Sequence, residues 1–241
     1  MLKIKNVSAV IDTTQLLSNI TLEIKAGEIH AVLGPKGSGK SGLAQLISGN
    51  PNLIQTEGSI HYKNQNLSKL DCDDRFNLGM FASFQYPPEI DGLSNLEFVK
   101  LALKAKKDKR QEHDIEKDYN ALKTMLGLAP DHGSFFMMAD FMEARDFKKN
   151  EILQMLMYNP DLIILDDIDQ HMTENDITEL GLIIKGFFNE HKSMMLITNN
   201  HALLDIVVPT HVHILVDGEI KEQGSTDLYK RIIEDGYPQF S

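Results

Sequence analysis

Cysteine occurs once in the 241 residues, as Cys72. One thiol cannot close an internal disulfide, so a reducing compartment is expected. Positive charge is scarce: 24 lysines and arginines stand against 35 aspartates and glutamates, a formal net charge of −11. That balance argues against a general surface for nucleic acid or anionic membrane, while leaving room for a local basic pocket. Long apolar runs are missing too. Nothing approaches the length of a membrane span, so no direct membrane insertion is expected. The opening "MLKIKNVSAVIDTTQ" lacks the unbroken apolar core of a secretory signal. The expected location is the cytoplasm, or the stroma of a plastid or other organelle after removal of a transit peptide. What is present is a core: 42% of residues are hydrophobic, and the length suits one large α/β domain.

The chain alternates strand and helix patterns at both ends. "LKIKNVSAVI" and "ITLEIK" read as strands, and "IHAVLG" is a short apolar strand that runs into a glycine-rich turn. "SGLAQLISG" carries helical spacing in Leu43, Leu46 and Ile47, and stops at Gly49 before Pro51. "GSIHYK" is another strand, and "GMFASFQYPPEI" a buried one ended by two prolines. From about Tyr86 to Asn150 the character changes. "NLEFVKLALKAKKDKR" and "DIEKDYNALKTMLGL" are helical in period, with no strand expected between them. The charge run Lys104–Arg110 reads as a solvated helix end. Then strands and helices alternate again through "NEILQMLMYN", "DLIILDD", "ENDITELGLIIKGFFNEH" and "SMMLITN". "HVHILVDGEIKEQG" reads as a hairpin turning at Asp217–Gly218, and "TDLYKRIIEDG" as a closing helix.

Chemistry concentrates in Gly34-Pro35-Lys36-Gly37-Ser38-Gly39-Lys40-Ser41, which satisfies G-x-x-x-x-G-K-[ST] in full, with a strand before and a helix after. Glycines permit the torsions that turn successive N–H groups inward, so that they cradle phosphate oxygens at a helix N-terminus. Lys40 would reach the β- and γ-phosphates, and the Ser41 hydroxyl would ligate Mg²⁺. "PDLIILDD" supplies the second piece, because its apolar strand delivers Asp166 and Asp167 to the carboxyl end, where open α/β sheets bind ligands. Asp166 would hold the Mg²⁺ shell and Asp167 would flank the attacking water. Cys72, in "DCDD", reads as structural, since one thiol is a poor cluster site.

On these residues the chain resembles the ABC class of ATPases and, within it, the SufC family of the SUF iron–sulfur cluster assembly system. The similarity spans nearly the whole length. It is carried by the N-terminal stretch through "GPKGSGKS", by "FQYPPEIDGLSN", by "NEILQM", by "HALLDIVVPTHVHILVDGEIKEQG" and by the closing "EDGY". The resemblance implies one ABC ATPase domain over 1–241: a P-loop core with an antiparallel β lobe in 1–85 and 151–241, and a helical subdomain inserted at 86–150. It implies ATP and Mg²⁺ as ligands, and Gln85 as the glutamine-loop residue that senses the metal. It also implies SufB- and SufD-like scaffold partners and a second ATPase subunit, identical or not, paired head to head around ATP.

Several positions depart from that family's pattern, and all serve hydrolysis. Where the signature would read S-G-G-E, this chain has Glu143-Ala144-Arg145-Asp146. In an ABC dimer those small residues face the γ-phosphate of the other subunit. A carboxylate there repels it by roughly 4 kcal/mol at 4 Å and an effective dielectric near 20. Arg145 offsets part of this but adds bulk. The catalytic glutamate position holds Asp167, the S-G-L-D segment reads Gln170-His171-Met172-Thr173, and the switch histidine position is Asn199, which cannot carry positive charge. His201, nearby, reads as a surface helix start. No aromatic near Val10 and Ile11 is available to stack on adenine. Three readings follow: a weakly hydrolysing ATP-binding subunit of cluster assembly, a non-hydrolysing pseudo-ATPase paired with an active partner, or the ATP-binding subunit of a membrane importer.

Overall fold

The computed structural model describes residues 1–83, 90–137 and 143–237. The chain opens with β1 (Leu2–Ile11) and β2 (Thr14–Ile24), then β3 (Ile29–Leu33) and α1 (Lys40–Ser48). It continues through β4 (Leu53–Tyr62), β5 (Gln65–Asn66), α2 (Cys72–Asn77) and β6 (Met80–Ala82). The middle holds β7 (Ile90–Ser94), α3 (Asn95–Ala105), α4 (Glu112–Met125) and β8 (Phe136–Met137). The last third alternates: α5 (Ala144–Tyr158), β9 (Leu162–Asp166), α6 (Glu174–Phe187), β10 (Ser193–Ile197), α7 (His201–Ile206), β11 (His211–Val216), β12 (Glu219–Gly224) and α8 (Thr226–Asp235).

Two main sheets result. An antiparallel sheet of order β2-β1-β4-β5 forms a lobe, and a six-stranded sheet of order β12-β11-β3-β10-β9-β6 forms the centre. The neighbours from β11 through β6 pair in parallel, and β12 closes one edge in antiparallel fashion. The apolar runs explain the parallel centre. Every residue of β3, β9 and β10 is buried, as expected for strands covered on both faces. Asp217 and Gly218 both take positive φ, 48° and 76°, the turn the hairpin expectation requires. Apolar side chains fill both faces: one cluster joins Val32, Leu43, Ile47 and Ile164 to the β lobe, and the other joins Leu33, Leu165 and Leu196 to α3, α4 and α5.

The middle segment departs from expectation in two ways. No strand is expected between residues 86 and 150, yet β7 and β8 pair antiparallel. "IDGLS" lacks period-2 alternation, and its partner strand is two residues long, so local pattern carries no signal of the pairing. The run Lys104–Arg110 is also not simply a solvated end. Lys106 Nζ donates to Tyr158 O at 2.9 Å, and Arg110 donates to Met157 O at 3.0 Å while pairing with Asp108 and Asp118. Cations at the C-terminus of α5 satisfy its last carbonyls and complement its dipole. Arg75 does the same for the helix after the glycine loop. It is 8% exposed and donates to Leu46 O and Ile47 O at 2.8 Å each, which pins the far end of α1.

Candidate nucleotide site

Gly34 leaves β3 under tight constraint. A Cβ there would meet Leu215 O at 2.0 Å and Ser38 Oγ at 2.8 Å, so no larger residue fits. Gly39 caps α1 at φ 102°, a torsion that L side chains rarely adopt. Between them the backbone folds over itself, with Ser38 N donating to Pro35 O at 3.3 Å, and α1 presents its N-terminus at Lys40 and Ser41. An N-terminus so placed suits an anion. Lys40 is 8% exposed, and its ammonium donates to Gly34 O at 2.7 Å and Pro35 O at 2.9 Å. Burial lowers its pKa, while Asp167 and Asp166 oppose that shift. The ammonium is thus held inside the loop and within electrostatic reach of both acids.

Asp166 ends β9 beside this loop. It is 2% exposed, and its Oδ1 has no hydrogen-bond partner. Burial pushes its pKa up to about 6, against a hydrogen bond from Ser41 that favours the ionised form. The Ser83 hydroxyl accepts from the Asp166 amide at 2.9 Å, fixing the strand end. A buried carboxylate oxygen without a partner is costly unless a cation meets it. The donor set of Asp166 and Ser41, both oxygen, therefore fits Mg²⁺. Ser38 Oγ is likewise buried without a partner, an acceptor or donor left for a ligand in the loop. Gln85 lies outside the described residues.

Asp167 takes a left-handed backbone, φ 47°, and its amide donates to Ile197 O at 2.9 Å. Burial and Asp169 raise its pKa, while Lys40 and Lys148 pull it back. Asn199 is anchored to the loop itself: it donates to Gly34 O at 3.0 Å and accepts from Gly34 N at 3.2 Å. Tyr237 adds a third bond, its hydroxyl donating to Asn199 Oδ1 at 2.7 Å. The asparagine braces the first turn of the loop rather than presenting a charge. His201 is exposed at the first position of α7, capped by Asn200, as the surface reading expects. Thr173 and Asp176 form a capping box for α6, so the segment Gln170–Thr173 serves a local helix start.

The residues expected at the signature, Glu143 to Asp146, open α5. Glu143 is its N-cap, without a side-chain cap bond, and its side chain is 79% exposed. Arg145 pairs with Asp146 at 3.2 Å and Glu143 at 3.7 Å. Two carboxylates and a guanidinium thus stand where a helix N-terminus would otherwise offer bare amides. At Val10 and Ile11 the end of β1 is aliphatic, with Ile11 38% exposed. Cys72 is exposed and its thiol lies 3.0 Å from Gly49 O.

One residue escapes the sequence reasoning. Lys148 is 3% exposed, pairs with Glu151 at 3.1 Å, and favours the ionised forms of Asp166 and Asp167. It carries α5 charge into the acid cluster. Its polar surroundings in "ARDFKKNE" resemble any solvated helix face, and only packing buries it.

A phosphate-loop strand–helix unit, an acid-tipped strand in the same sheet, an antiparallel lobe and a helical middle together define an ATP-binding cassette. The ABC transporter family model matches residues 17–170, and the chain belongs to that family. It is 37% identical over 244 aligned positions to the "Probable ATP-dependent transporter slr0075" of Synechocystis, covering 98% of this chain and 94% of the relative. It is 36% identical to the "Probable ATP-dependent transporter ycf16" of Cyanophora paradoxa, covering 98% and 93%. Among solved structures, the dimeric bacterial ABC transporter cassette MJ0796 matches with a TM-score of 0.79 at 22% identity, covering 94% of this chain and 99% of that one. The ATP-binding cassette fold is therefore established, and the chain is an ABC-type ATP-binding subunit. No helix among the described residues is long and apolar enough to cross a membrane.

Proposed function

We propose that the chain binds Mg·ATP between the loop Gly34–Ser41 and Asp166 and acts as the SufC-like ATPase subunit of iron–sulfur cluster assembly, with weak hydrolysis of its own. The observation that carries the nucleotide half is the buried, unpartnered Asp166 Oδ1 beside Ser41 and Lys40. The amides of α1 and the Lys40 ammonium bind and orient the phosphates; Asp166 and Ser41 hold Mg²⁺, which offsets phosphate charge when bound. Asp167, on its short arm, positions water poorly. Asn199 holds the loop instead of contributing charge. Glu143 and Arg145 crowd the face that a second subunit's γ-phosphate would approach. Segment 86–150 is the helical subdomain, and SufB- and SufD-like scaffold proteins are the partners. Support for the cluster-assembly half comes from the sequence resemblance in "FQYPPEI", "NEILQM" and "EDGY".

Steady-state phosphate release from the purified chain, with and without a SufB/SufD-like scaffold, tests this. Scaffold-stimulated release is expected. A rate near 1 s⁻¹, in the ordinary range of enzymes, from the chain alone would overturn the weak-hydrolysis claim. A second reading is favoured by the names of the relatives: an ATP-binding subunit of a membrane transporter. Co-purification with a polytopic permease and no scaffold would favour it over cluster assembly.

A further inference from the structure

Four ionisable side chains meet at the end of the central sheet opposite the phosphate loop. β3 and β11 run parallel with His211 beside His30, which stacks their rings at 4.4 Å between centroids. Glu28, just before β3, places Oε2 3.2 Å from His30 Nε2. One ligand atom each from Glu28, His30 and His211 lies within 4.8 Å of the other two. The outward nitrogens are already engaged: His30 Nδ1 is 2.8 Å from His213 Nε2, and His211 Nδ1 is 3.0 Å from Thr210 Oγ1. Such contacts orient both rings, and a His30 tautomer with its proton on Nδ1 leaves Nε2, beside Glu28 Oε2, for a cation. The Glu28 carboxylate is fixed as well, accepting from Lys25 N at 2.7 Å.

We propose that Glu28, His30 and His211 form a binding site for one divalent cation of the zinc type, separate from the nucleotide pocket. Two imidazoles and one carboxylate match the borderline character of Zn²⁺ and leave a fourth position for water. Hard Mg²⁺ prefers all-oxygen sets such as Asp166 with Ser41. Burial differs usefully across the three. His30 is 1% exposed and anchors the site, Glu28 is half-buried, and His211 is exposed and forms the entrance. The cluster joins strand β3, whose other end becomes the phosphate loop, to β11.

The full chain, free of added metal, is titrated with Zn²⁺ against a chromogenic chelator. One equivalent should bind with a dissociation constant below about 10 μM. Because His211 is exposed, His211→Ala should fold normally and weaken binding at least tenfold. Glu28→Gln should do likewise and decides the matter if the first variant fails to fold. Cys72→Ser should leave affinity unchanged. Zn²⁺ should raise the melting temperature of the wild type and not of either site variant. Absence of stoichiometric binding, or equal binding by wild type, His211→Ala and Glu28→Gln, would overturn the proposal. Binding lost only with Cys72→Ser would also overturn it, placing the metal elsewhere and leaving the histidines as a stacked brace between strand ends.

Discussion

The glycine loop and the start of α5 are both helix N-termini in a chain of one fold, and they are furnished in opposite ways. At α1 the three residues before the helix, Gly37, Ser38 and Gly39, are small, and the first helical residue is the buried Lys40. At α5 the N-cap and first turn carry Glu143, Arg145 and Asp146, paired with one another. The first end is built for an anion; the second already has its own. A nucleotide machine needs the first to hold phosphate and the second to complete the site across a dimer. On the proposed reading, this chain keeps the holding end and alters the completing one.

Breaking the stronger side of that contrast gives the largest effect. Lys40→Ala should reduce Mg·ATP affinity about 100-fold, the cost of roughly 3 kcal/mol for a charged hydrogen-bond donor, read by calorimetry. Unchanged affinity would show that the phosphates do not sit in the loop. Repairing the weaker side comes next. Glu143→Ser, Ala144→Gly and Arg145→Gly combined with Asp167→Glu and Asn199→His should raise phosphate release by about tenfold, on the scale of one positioned proton-transfer or charge contact. No gain would discredit the proposed cause of weak hydrolysis.

Asp166 sharpens the comparison through pH. Its folded pKa of about 6 lies above the ordinary 3.8, so the folded state holds the proton more tightly. Its ionisation therefore costs stability, which is intact below about pH 4 and is lost as pH rises toward 6 and beyond. Without nucleotide, Asp166→Asn should be more stable than wild type at pH 8 by about 2 kcal/mol and nearly equal to it at pH 4. Denaturant melts at the two pH values check this, and an equal difference at both would contradict it. The smallest effect belongs to Tyr237→Phe, which removes one bond to Asn199 and should cost about 1 kcal/mol of stability, with nucleotide affinity changed less than by Lys40→Ala.

Much of the central architecture is written locally. "IHAVLGPKGSGKS" places strand, turn and helix next to one another, so the loop and Asp166 strand could be read from apolar runs and glycine positions alone. The pieces that escaped depend on distant packing. β7 finds β8 across two helices, and Lys148 looks solvated until α5 packs against the sheet. His30 and His213 lie 183 residues apart in sequence and meet only because β3 and β11 pair. Neither helical period nor strand alternation encodes such meetings.

The central claim, a phosphate pocket that holds nucleotide better than it turns it over, is tested most directly by injecting Mg·ATP into the purified chain in a calorimeter and following heat after each injection. Saturable binding heat that returns to a nearly flat baseline is the expected trace. No binding heat at all, or a sustained hydrolysis signal equivalent to about 1 s⁻¹, would contradict it.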